Sequence, residues 1–79
     1  MREQNFQYQL IEKHRTRLNL TQRQLADICG VTPQAVSLWE EGKTMPRWET
    51  VVKLAGLFGI NPASFFEPSD YKSDRASNH

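Results

Sequence analysis

A single cysteine stands among the 79 residues, so no internal disulfide can form and nothing asks for an oxidising compartment. No apolar run approaches the ~18 residues of a membrane span, and Met1-Arg2-Glu3-Gln4 does not read as a secretory signal. The expected location is the cytoplasm. Of the two histidines, His14 falls among helical core positions and His79 ends the chain. A metal site therefore lacks ligands, and neither a metal nor another cofactor is expected. Gly-rich phosphate loops, alternating strand patterns and internal repeats are absent. No carboxylate has a histidine or lysine arranged around it, and Cys29 lies on an inner helical stripe, where a free cysteine serves as a small hydrophobe. The chain is not expected to be an enzyme.

What is present fits one soluble globular domain, with 38% hydrophobic and 24% charged residues, near the size where a single core is only marginally stabilising. The net charge of +1 says little about partners, but its distribution says more. Between Lys13 and Arg47 six basic residues face three acidic ones, while each flank carries a net charge of −1. The positive excess is central.

The stretch from Thr21 to Gly42 is the most informative. Thr21 with Gln24 three residues on is the pattern of a capping box. Leu25, Ile28 and Cys29 follow as an apolar stripe, and Ala26 is small on the inner side, where a second helix can cross closely. Gly30 stops this helix in the left-handed conformation. Thr32-Pro33 starts another, with a hydroxyl at the N-cap and proline at the first position, where its missing N–H costs nothing. That helix, Pro33 to about Glu41, turns Val36, Trp39 and Glu40 one way and Gln34, Ser37, Leu38 and Glu41 the other. Two short helices joined by a tight turn, the second presenting a polar N-terminal end, make a helix-turn-helix.

The flanking sequence supplies a platform. A first helix is expected from about Phe6 to Leu18, with Phe6 or Gln7, Leu10, Ile11, His14 and Leu18 inward. Asn19 ends it. After the loop Lys43 to Pro46, a helix runs from Arg47 or Trp48 to Leu57 or Phe58, apolar through Trp48, Val51, Val52, Leu54, Ala55 and Phe58, and Gly59 ends it. Asn61-Pro62 opens a last helical turn, Ala63 to Phe66, and Pro68 blocks continuation. Residues 1–5 are expected to fray and residues 69–79 to be disordered. The fold class is all-α, a compact bundle of five short helices with a central helix-turn-helix, over residues 6–68.

Leu20-Thr21-Gln22, Leu25-Ala26, Gly30-Val31, Val36-Ser37 with Trp39-Glu40, Gly42-Lys43, Pro46, and Leu54-Ala55 to Gly59-Ile60 stand in an order and spacing that resembles the Cro/C1-type family, the phage-repressor-like (XRE) helix-turn-helix proteins. The similarity runs from about Ile11 to Phe66. It implies a lambda-repressor-like fold and a transcriptional regulator, most often a repressor. Such a protein binds double-stranded DNA with the first helix of the motif across the backbone and the second in the major groove. Carried over by position, Gln22 bonds a phosphate through its side chain or its amide, and Arg23, Thr32, Lys43 and Thr44 are further phosphate contacts, with Arg47 able to add one. Thr32, Pro33, Gln34, Ser37 and Leu38 face the groove. Gln34 is the leading base reader, its amide able to donate to adenine N7 and accept from N6. Ser37 can bond a base or a phosphate, whereas Pro33 and Leu38 can only pack on thymine methyls or sugars. The resemblance also implies a partly buried ion pair between Arg15 and Glu40.

Three positions depart from the family pattern. Leu38 stands where Arg or Lys is frequent, Arg47 where a serine N-cap is common, and Trp48 where leucine is common. The usual family solution is a homodimer on a two-fold operator with half-sites ~34 Å apart or a multiple of that. Trp48, Leu57, Phe65 and Phe66, in the C-terminal part, are the candidate dimer surface. Antitoxins and restriction-system controllers can share this fold, so the alternative is a chain whose main role includes binding a partner protein.

Overall fold

A computed structural model describes residues 6–66. Four α-helices follow in order: α1 (Gln9–Arg17), α2 (Gln22–Cys29), α3 (Pro33–Glu40) and α4 (Trp48–Phe58), and a 3-10 turn, Pro62–Phe66, closes the chain onto them. The architecture is all-α, with no strand among the described residues. The sequence reading of five helices is corrected at its last member. Asn61 caps it as expected, its Oδ1 accepting the Ala63 N–H at 2.9 Å, but the next bond runs from the Ser64 N–H to the Asn61 carbonyl, a tighter three-residue step. The expectations for residues 1–5 and 69–79 lie outside the described residues.

The first helix is also shorter than expected. The Gln7 N–H donates to the Phe65 carbonyl at 2.6 Å, which ties residues 6–8 to the closing turn, so helical geometry starts only at Gln9. Local chemistry accounts for the other boundaries. Thr21 and Gln24 form the reciprocal capping box, with the Gln24 N–H on Thr21 Oγ1 at 3.0 Å and the Thr21 N–H on Gln24 Oε1 at 2.8 Å. Thr32 Oγ1 accepts the Ala35 N–H at 3.2 Å, and Pro33 occupies the first turn of α3. Each helix ends on a residue of positive φ, Asn19, Gly30, Gly42 or Gly59. In all four cases the next amide reaches back to the carbonyl five residues earlier, as from Val31 to Ala26 at 2.9 Å and from Lys43 to Leu38 at 3.0 Å.

One core joins the elements. Ile11 of α1, Leu25 of α2, Val36 of α3, Val51 and Leu54 of α4, and Phe65 of the closing turn are fully buried, with Ala26, Cys29, Trp39, Ala55 and Phe58 around them. Ile28 is exposed, against expectation. Ala26 and Leu25 take the inner side of α2, and a residue two positions beyond Ala26 lies about 200° around the helix from it. Val52 and Trp48 are likewise on the outer side of α4, which therefore buries a narrower stripe than its composition implies. Phe65 is withdrawn from the candidate dimer surface: it is fully buried and stacks on Phe6 with ring centroids 5.3 Å apart.

His14 is a structural residue, stacked on Phe58 at 5.2 Å, and its Nδ1 accepts from Arg17 Nε at 3.2 Å. Burial first, then Arg17 and Lys13, pushes its pKa below the ordinary 6.5. The unfolded chain therefore takes up a proton at a pH where the folded chain does not. Stability is expected to fall as pH drops below about 6.5, and urea unfolding of His14→Gln at pH 5 and 7.5 should show a smaller loss. An equal loss in both proteins would remove His14 from the acid sensitivity.

Candidate nucleic-acid interface

The sequence puts a polar, capped helix start on a rigid base, and the structure turns it outward. Thr32, Pro33, Gln34 and Leu38 are exposed along one side of α3, while Val36 and Trp39 on the other side are buried. Thr32 Oγ1 is used as an acceptor by the cap, which leaves its O–H free to donate. Ser37 is half-buried, with Oγ 3.5 Å from Glu41 Oε2, a long contact. The five residues expected from the sequence to face the groove thus lie on one side of α3, Ser37 less open than the other four.

The orientation of α3 is fixed by a polar network shared among three helices. Arg15 of α1 grips Glu40 of α3 with two parallel bonds, Nε to Oε2 at 2.7 Å and Nη2 to Oε1 at 3.1 Å. Its remaining nitrogen, Nη1, donates to the Leu20 carbonyl at 2.8 Å. Only 12% of the Arg15 side chain and 5% of the Glu40 side chain meet solvent. The hydrogen bonds to Glu40 raise the Arg15 pKa further, so the guanidinium stays charged. Gln22, at the start of α2, joins them by donating Nε2 to Glu40 Oε1 at 2.9 Å. The ion pair implied by the resemblance is present, and it also holds Gln22, which sequence reasoning had assigned only an outward role. With that amide nitrogen engaged, the backbone N–H of Gln22 and the Arg23 side chain, which is exposed, remain at the α2 N-terminus.

Beyond α3 the chain bends at Gly42 and presents Lys43 and Thr44, both exposed. Their amides reach the Leu38 carbonyl at 3.0 and 3.4 Å, so this loop is continuous with the end of α3. Gly42 has φ 76°, and a Cβ there would meet the Tyr8 ring at 2.8 Å. Tyr8, Phe6, Gly42, Lys43, Thr44 and Met45 line a groove of about 350 Å3. Tyr8 thus braces the loop, a role sequence reasoning missed because the contact joins distant parts of the chain and leaves no local signal. Lys43 Nζ lies 3.4 Å from Glu41 Oε1 in a solvent-exposed pair of the kind that contributes little.

Cys29 is buried on α2, and burial pushes its thiol pKa up, away from the reactive thiolate. No group of three His, Cys, Asp or Glu able to hold a metal ion occurs among the described residues. Among the same residues no helix is long and apolar enough to cross a membrane.

An exposed second helix of a helix-turn-helix, capped at its N-terminus and flanked by a basic loop, defines a class of DNA-binding regulator. A helix-turn-helix family model, HTH_3, matches residues 11–65, and the chain belongs to this Cro/C1-type family of DNA-binding transcriptional regulators. The chain is 33% identical over 51 residues to the SPbeta prophage-derived uncharacterized HTH-type transcriptional regulator YonR of Bacillus subtilis (strain 168), covering 65% of this chain. The matched segment spans about half of that relative, 47% of its length. The P22 c2 repressor, solved in complex with a synthetic operator, superposes with a TM-score of 0.72 at 26% identity, covering 78% of this chain and 94% of that one. The restriction-modification controller protein C.AhdI of Aeromonas hydrophila superposes with a TM-score of 0.64 at 29% identity, covering 75% and 86% of the two chains.

Proposed function

We propose that this chain is a sequence-specific repressor of transcription in the cytoplasm, inserting α3 into the major groove of double-stranded DNA as a homodimer on a two-fold operator. The observation that carries this reading is the outward face of α3, with Gln34 exposed at its capped end and Glu40 anchored by Arg15 on the opposite side. Gln34 is the base reader, able to pair with both Hoogsteen-edge groups of adenine, and Ser37 bonds a base or phosphate beside it. Pro33 adds apolar contact at the helix start. Thr32, the Gln22 backbone amide, Arg23, Lys43 and Thr44 contact phosphates, the amides exploiting the positive end of a helix. The likeness to an operator-bound repressor supports this docking. We assign the chain no catalytic role and no cofactor.

Dimerisation has a candidate surface in the exposed Trp48, whose indole lies 6.5 Å from the half-buried Phe66, with the half-buried Leu57 as a further member. An indole open to water at the mouth of the closing turn is apolar area that a second copy would cover. A second reading is an antitoxin or restriction-system controller whose main role includes binding a partner protein; a restriction-modification controller is among the structures this chain is similar to. Salt separates the two readings. Binding to DNA weakens with a log–log slope of about −0.9 per neutralised phosphate, whereas a protein complex built on apolar contact survives the same salt.

Gln34→Ala and Lys43→Ala test the assignment of roles. Gln34→Ala is expected to flatten sequence preference more than it weakens non-specific binding, because base contacts specify and phosphate contacts position. Lys43→Ala is expected to weaken all duplexes alike and to flatten the salt slope by about one unit. Binding isotherms on specific and scrambled duplexes across a salt series read both. An unchanged preference in the first variant, or an unchanged slope in the second, removes that residue from the interface.

A further inference from the structure

The readout face carries an unusual chemistry for a groove-binding helix. From Gln24 to Gly42 the sequence holds no lysine or arginine, so the forked arginine contact by which guanine is most often read is missing from α3. In its place stands Leu38, 38% exposed, one helical turn after Gln34 and on the same side. Its main chain is fixed, since its carbonyl accepts the Lys43 and Thr44 amides at 3.0 and 3.4 Å. The Leu38 backbone and the loop assigned to phosphate are therefore tied together, so anchoring the loop sets how close the Leu38 Cα comes to the groove.

Resting on the DNA-binding reading above, we propose that Leu38 recognises the C5-methyl group of a pyrimidine in the major groove. That methyl is the one apolar feature a base edge offers there. Thymine carries it in ordinary DNA, and 5-methylcytosine carries the same group on the same ring position. Leu38 is better suited to it than Pro33, whose ring is locked into the first turn of α3, because a leucine can extend two methyls from the helix onto one partner. Gln34 on adenine and Leu38 on a methyl make the face one that selects by amide pairing and apolar contact, without an arginine.

The test uses the full chain and a duplex that the wild-type protein selects from random DNA. Each thymine of a half-site is replaced in turn by uracil, which removes only the methyl, and each cytosine by 5-methylcytosine, which adds it. One uracil position is expected to weaken wild-type binding about fourfold, the worth of one buried methyl, and to leave Leu38→Ala unaffected. A gain of similar size at one 5-methylcytosine, absent in Leu38→Ala, supports the proposal and assigns the methyl to modified cytosine. Leu38→Gln provides the same comparison should Leu38→Ala melt early. The proposal is overturned if no methyl changes affinity, or if the change is equal in wild type and variants. If no site is selected at all, the DNA reading itself fails, whereas a selected site indifferent to C5-methyls overturns only the role of Leu38.

Discussion

Arg15→Ala is expected to remove about 3–5 kcal/mol of folding stability, because it leaves the Glu40 carboxylate buried without its cation. The side chain makes both bonds to Glu40 and one to the Leu20 carbonyl, so a single truncation unpairs groups on α3 and on the turn before α2. Arg17→Ala is the control. Arg17 also makes real contacts, to the Phe58 carbonyl at 3.0 Å and to His14, but its side chain is exposed and its loss orphans no buried charge, so each hydrogen bond there contributes about 1 kcal/mol. Since 1 kcal/mol moves the Tm of a domain this small by about 4–8 °C, circular dichroism melts should separate the two variants by more than 10 °C, roughly. Equal Tm values would refute the role given to the pair. Replacing both partners, as in Arg15→Met with Glu40→Leu, is expected to recover much of the loss, since the penalty lies in the orphaned charge. The recovered protein should still bind DNA less well, because Gln22 loses its anchor on Glu40.

Phe65→Ala has an effect of similar size for a different reason. The ring is fully buried, stacked on Phe6, and belongs to the turn that closes the chain over α4. Truncating a buried phenylalanine costs about 3–5 kcal/mol through lost transfer energy and the cavity left behind. For a domain whose whole stability is on the order of 5–10 kcal/mol, that loss leaves a substantial unfolded fraction near body temperature. Trp48→Glu is the contrasting variant. With 57% of Trp48 exposed in the protomer, its replacement is expected to leave the monomer's melting nearly unchanged while abolishing self-association seen by sedimentation. A Phe65→Ala protein that melts normally but no longer dimerises would contradict this division, as would a Trp48→Glu protein that unfolds.

Local chemistry made most of the fold readable in advance. Thr21 with Gln24, Thr32 with Pro33, and Gly30 each act within one helical turn, so their caps and stops follow from short-range geometry. The outward turn of Gln34 and Leu38 was readable for the same reason, from the period of Val36 and Trp39. The Arg15–Glu40 pair came through family resemblance, because two charges on separate helices leave no mark in composition. What could not be read depends on contacts between distant segments. The Gln7–Phe65 bond shortens α1. The choice of Ala26 for the inner side of α2 expels Ile28, and Phe65 is drawn inward by Phe6 although its composition suits a surface patch equally well. Tyr8 over Gly42 belongs with these, a brace for the loop next to α3 that only the folded chain brings together.

Selecting duplexes from a random pool with the intact protein is the most direct measurement of the central claim, that the amino end of α3 is open to the major groove and reads bases there. The expected outcome is an enriched inverted repeat whose half-sites share an adenine dependent on Gln34, with centres ~34 Å apart or a multiple of that. A pool that stays random after repeated rounds, or an enriched motif identical for wild type and Gln34→Ala, would contradict it.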